Sequence, residues 1–132
     1  MNEEQKTQNP IRSFRDLYAW QKGHVLVLDV YAETKHFPKD ELFGLTNQMR
    51  RCAVSITSNV AEGFARNSFR EKIQFFSITR GSISELRNQL QIAHDVGYLS
   101  RERFVDMDNQ CEQVRRLVSA LMRGAARKNE EL

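Results

Sequence analysis

The sequence predicts an all-α protein, an antiparallel up-down-up-down four-helix bundle that associates as a homo-oligomer. Three observations carry this. Apolar residues recur at spacings of 3 and 4 in four separate segments, with no strand-like alternation. The two prolines, Pro10 and Pro38, fall outside those segments. The first and third segments hold more apolar residues than one bundle core absorbs, and surplus apolar surface marks an interaction site.

Residues 1–12 read as a flexible polar tail, 13–126 as the bundle domain and 127–132 as a fraying tail. The first helix is expected to start at Ser13, where Ser13 and Asp16 form a capping-box-like pair. Its stripe is Leu17, Trp20, His24, Val27 and Tyr31, and it stops before Phe37-Pro38. The second helix follows a loop through Asp40 and Gly44, with Thr46 as the expected N-cap. Met49, Ala53, Ile56 and Val60 form its stripe, and Gly63 lies near its end.

Ser68 and Glu71 form the S-x-x-E signature that opens the third helix. Phe69, Phe76, Ile83 and Leu90 form its seam, with Thr79, Leu86 and Ala93 between them. Phe75, Ile78 and Ile92 lie off this seam, and Gly97 is the stop. The fourth helix starts at Ser100 and carries Phe104, Met107, Cys111, Val114, Val118, Leu121 and Ala125 on one stripe.

At 132 residues the chain is one domain with room for a core. No apolar run reaches the ~20 residues of a membrane span, and a cytoplasmic protein with reduced thiols at Cys52 and Cys111 is expected. The histidines His24, His36 and His94 show no metal-ligand spacing, and no phosphate-loop, dinucleotide or nucleophile-elbow motif occurs. No enzymatic activity, metal or cofactor is therefore expected.

The net charge is +3, but 14 arginines stand against 6 lysines. Arginine makes forked contacts to phosphate and to carboxylate, so the excess fits either RNA contact or ion pairs between helices. Arg50, Arg51, Arg66 and Arg70 are the candidate RNA-binding residues, near the ends of the second helix and the start of the third. Arg80, Arg87 and His94 line up seven apart, as do Arg116 and Arg123, and could extend a basic belt. Such binding would be phosphate-dominated, salt-sensitive and weakly sequence-specific, and base stacking is not expected, because the interleaved aromatics fall mostly at core positions. The second helix is rich in small residues, which permit close packing on more than one side. Asn59 and Glu62 are candidates for a buried polar network with Arg51, Arg80 or Glu85. Ala61, Phe75, Ile78 and Ile92 are candidates for the oligomer interface. Mid-helix Gly81 suggests a close helix approach.

Several of these residues together resemble a known family. Gly44-Leu45-Thr46, Gln48-Met49-Arg50-Arg51, Ser55, Asn59-Val60-Ala61-Glu62-Gly63-Phe64, Arg80-Gly81-Ser82-Ile83-Ser84-Glu85-Leu86 and Gly97-Tyr98-Leu99 are similar to the 23S rRNA intervening-sequence (S23) proteins. Phe14-Arg15-Asp16-Leu17 and Trp20 match as well, so the resemblance covers residues 13 to 122. It implies a bacterial cytosolic four-helix bundle, assembled as a ring of five, with no established activity or site residues. Five copies would multiply the net charge of +3 to about +15. A more distant similarity is to the accessory variability proteins of diversity-generating retroelements. That similarity implies an alternative role as partner of a reverse transcriptase and nucleic acid.

Overall fold

The computed structural model describes residues 10–132; of the expected polar tail, residues 1–9 lie outside the described residues. Four α-helices make up the fold: α1 (Tyr18–Thr34), α2 (Leu45–Ala65), α3 (Phe69–Asp95) and α4 (Arg101–Glu130), and no strand occurs among the described residues. α1 packs on α2 and α4, and α3 packs on the same two helices, so α1 and α3 stand at opposite corners around one core.

Contacts between neighbours pair rising with falling residue numbers. Between α2 and α3, Cys52 meets Ser82, Ile56 meets Thr79 and Phe64 meets Lys72. Between α3 and α4, Arg87 meets Asp108 and Arg80 meets Ser119. Between α1 and α4, Asp29 meets Gln110 and Glu33 meets Arg103.

Local signals place several boundaries where the sequence puts them. Ser68 Oγ accepts from the Glu71 amide, and Ser100 Oγ accepts from the Arg103 amide, so both satisfy free donors at a helix start. Gly97 has φ +89°, the left-handed turn that ends α3. The α2 stripe of Met49, Ala53, Ile56 and Val60 is fully buried, as are Ile83, Leu86 and Leu90 of α3 and Met107, Cys111, Val114 and Val118 of α4.

Other boundaries differ. The capping box at Ser13 and Asp16 is formed, but it closes a 3-10 turn, Phe14–Asp16. Leu17 is then extended and buried, and α1 begins after it. The Arg12 and Ser13 amides donate to Asp16, and they hold its carboxyl below the ordinary carboxylate range. The buried face of α1 is Ala19, Gly23, Leu26, Val27, Val30 and Thr34. It is rotated away from the expected stripe because small Ala19 and Gly23 let α1 sit close. Trp20 and His24 instead stack, 4.7 Å apart, half-buried. The N-cap of α2 is Gly44, and Thr46 lies buried inside the helix. α4 continues to Glu130, through residues expected to fray.

The two ends of the bundle differ. At one, Tyr98 donates to Glu41 at 2.8 Å and its ring packs 5.3 Å from Phe37, tying the α1–α2 loop to the α3–α4 turn. The other end holds the α2–α3 turn, Leu17 and the end of α4.

Candidate nucleic-acid interface

α2 and α3 approach closely next to the short turn that joins them. A Cβ at Gly63 would lie 2.6 Å from the Phe76 ring, so only glycine fits there without a shift. Lys72, one turn into α3, folds back and donates to the carbonyls of Gly63 at 3.2 Å and Phe64 at 2.7 Å. It thereby caps the C-terminus of α2, where free carbonyls favour a cation. Its ammonium sits 5.6 Å from the centre of the Phe64 ring. Burial holds its pKa below the ordinary lysine value.

Beside this cap α4 closes an open cleft of about 300 Å³. Its walls are apolar: Leu17, Phe64, Phe69, Phe76, Ala120, Leu121 and Ala125. Lys72, Arg127, Lys128 and Glu131 also line it. Neither the Arg127 nor the Lys128 side chain has an ion-pair partner among the described residues.

The four candidate arginines do not form one site within a protomer. Arg66 and Arg70 lie at the α2–α3 turn. Arg66 donates to Glu62 at 2.6 Å and lies 4.6 Å over the Phe75 ring. Arg70 is exposed, without an ion pair among the described residues. Arg50 and Arg51 lie toward the opposite end of α2, about 22 Å away at the ~1.5 Å rise per residue of a helix. Arg50 serves the fold: its Nε donates to Thr34 Oγ1 at 2.9 Å, and its guanidinium lies 4.8 Å over Tyr31. Arg51 is exposed in a second open cleft with Asn47, Gln48, Ser55, Ser82 and Glu85.

The arginine line of α3 is mostly consumed inside the protomer. Arg87 forks onto Asp108 at 2.8 and 3.1 Å and reaches Glu112 at 3.1 Å. His94 pairs with Asp95 at 2.9 Å. Arg116 joins Arg115 on Glu112, whose pKa falls to about 2, chiefly through the Arg115 hydrogen bond. The residues missed by sequence reasoning are Lys72, Arg127 and Lys128. Pairing the end of α4 with the start of α3 would have found Arg127 and Lys128, since both line one cleft with Phe69 and Lys72.

The expected Asn59–Glu62 network is not formed in the protomer. Asn59 donates to Ser55 O at 2.8 Å and Ser55 Oγ at 3.1 Å, within its own helix. Glu62 is exposed and pairs with Arg66. Polar contact between α2 and α3 centres instead on Ser55 and Ser82, whose hydroxyls lie 2.9 Å apart, and on the Cys52 thiol, which donates to Ser82 O. Burial, with Glu85 adjacent, pushes the Cys52 thiol up to about 12. Ala61 and Phe75 are half-buried, Ile78 and Ile92 are exposed, and Gly81 touches no neighbouring helix in the protomer. Among the described residues no His, Cys, Asp and Glu cluster could hold a metal, and no helix is long and apolar enough to cross a membrane.

The sequence family described as 23S rRNA-intervening sequence protein matches residues 15–120. The fold is similar to the crystal structure of a protein of unknown function from the S23 ribosomal protein family of Bacteroides thetaiotaomicron. The TM-score is 0.74 at 18% identity, over 80% of this chain and 95% of that one. No curated protein matches the sequence.

Proposed function

Because this chain belongs to the 23S rRNA-intervening sequence protein family, we propose that it is a non-enzymatic, oligomeric scaffold of the cytoplasm that binds RNA through phosphate contacts. One observation carries the RNA reading: Arg70, the arginine of the α2–α3 turn without a carboxylate partner among the described residues, lies at the end of the bundle that also holds Arg127 and Lys128, which have none either. Forked guanidinium groups beside an ammonium suit phosphate oxygens.

Two features support assembly. α1 exposes Val25, Leu28 and Tyr31, while α3 exposes Ile78 and Ile92 at the opposite corner. Apolar faces on opposite sides favour head-to-tail contacts, which close as a ring when the rotation allows. The pairing of rising with falling residue numbers supports the up-down-up-down topology. A ring of five, as the resemblance implies, would repeat the basic end five times and raise the local potential.

The test is a salt titration of RNA affinity with light scattering on the same samples. Each neutralised phosphate on a single strand contributes ~0.7 to the slope of log K against log salt. Arg70→Glu with Arg127→Glu should therefore flatten the slope by about 1.4 per contacting protomer, for all sequences alike. Arg51→Glu should change it less. An intact oligomer with no RNA affinity at low salt would overturn the RNA reading and leave the scaffold alone.

A further inference from the structure

We infer that the apolar cleft at the basic end takes an unpaired base of an RNA strand, with the adjoining phosphates on Arg127 and Lys128. This rests on the RNA reading above and gives it a site. The cleft measures about 300 Å³, at the small end of the ~300–1,000 Å³ that ligand pockets span. Phe64, Phe69 and Leu121 are only half-buried, so their apolar surface remains accessible. A flat aromatic body with an anionic tail matches apolar walls joined by Arg127 and Lys128, whose two charges exceed the single carboxylate, Glu131.

Gly124 supplies an independent observation. It lines the same cleft from the interior of α4. Glycine is the poorest helix former after proline, and packing does not require it here: a Cβ would meet no neighbouring atom within 4 Å. Gly63, by contrast, is demanded by Phe76. The missing side chain at 124 leaves the cleft open beside Leu121 and the two C-terminal cations.

The experiment compares a single-stranded oligoribonucleotide with an abasic strand of equal length, by fluorescence anisotropy at fixed salt. Both carry the same phosphates, so only the base differs. Base stacking on aromatics predicts about fivefold to hundredfold tighter binding of the intact strand by the wild type. Gly124→Leu and Gly124→Met fill the cleft and should reduce affinity for the intact strand to that for the abasic strand, while Gly124→Ala should keep most of the difference. The aromatic proton signals of Phe64 and Phe69 should shift with the intact strand only.

Equal wild-type affinity for the two strands would overturn the inference and leave phosphate binding standing. A difference that survives both filling variants would place the base elsewhere and also overturn it. Loss of the oligomer in the filling variants, seen by light scattering, would assign the cleft to a second copy of the chain. Absence of binding to either strand at low salt would remove both readings.

Discussion

Replacing Gly63 with alanine should destabilise the protein by about 1–2 kcal/mol, although alanine is the better helix former. The added Cβ would lie 2.6 and 2.9 Å from two Phe76 ring carbons and 3.2 Å from Phe75 Cβ. Ordinary contact needs ~3.5–4.0 Å, so the ring must move by about 1 Å. Phe76 is 4% exposed and belongs to the core; overpacking of this kind costs ~1–3 kcal/mol. The gain in helix propensity is at most ~1 kcal/mol, and less two residues from the end of α2. Gly124→Ala is the matched control. Nothing lies within 4 Å of its new Cβ, so it should stabilise by up to ~1 kcal/mol. Urea unfolding of the two variants and the wild type in one buffer measures both. If Gly63→Ala is as stable as wild type, the α2–α3 approach is not set by Phe76, and the Phe76 side of the cleft is free to shift.

Other outcomes follow from named contacts. Arg87→Ala removes the fork onto Asp108 and the bond to Glu112, and should cost about 1–2 kcal/mol, between the ~0–1 of an exposed ion pair and the ~1.5–3 of a hydrogen bond to a charged group; Arg87→Lys should recover less than half in the same urea titration. Glu112 has a folded pKa of about 2 against an ordinary 4.5. Its contribution is therefore complete above pH 4.5 and disappears as pH falls toward 2, so Glu112→Gln should flatten the acid limb of a stability–pH curve there. Cys52 and Cys111 are buried thiols raised to about 12; iodoacetamide at pH ~8 should label them only as fast as the protein opens, and rapid labelling would contradict their burial. Leu28→Asp or Ile78→Asp should lower the mass seen by light scattering with helical dichroism retained, and an unchanged mass in both would exclude these faces from the interface.

The parts of the fold legible in the sequence are those fixed by neighbours along the chain. Ser68, Ser100 and Gly97 act within one turn, so their signals can be read directly. The α2 stripe is legible because its large residues and its buried face coincide. In α1 they do not. Gly23 and Ala19 face the core while Tyr31 is 40% exposed, because close approach favours small residues and a pattern search weights large ones. Ser13 and Asp16 show another limit, since the same hydrogen bonds close a 3-10 turn as readily as an α-helix. The candidate site was half legible. Arg66 and Arg70 stand out in the sequence, but Arg127 and Lys128 lie 57 and 58 residues beyond Arg70. They join it only through the α3–α4 pairing.

That pairing also separates two uses of arginine. Arg87 and Arg103 bind carboxylates on a neighbouring helix, and Arg115 and Arg116 converge on Glu112. These cations hold helices in register, and their charge is locally cancelled. Arg51, Arg70 and Arg127 have no ion pair among the described residues. A cation near a helix C-terminus is favoured by ~0.3–1 kcal/mol through the helix dipole alone, so Arg127 and Lys128 would be reasonable on an inert surface. The dipole accounts for neither Arg70, in the first turn of α3 where a cation is disfavoured, nor an open apolar cleft at the same end. The proposed phosphate contact would account for Arg70 and the C-terminal cations together. The proposed base in the cleft would account for the space that Gly124 leaves.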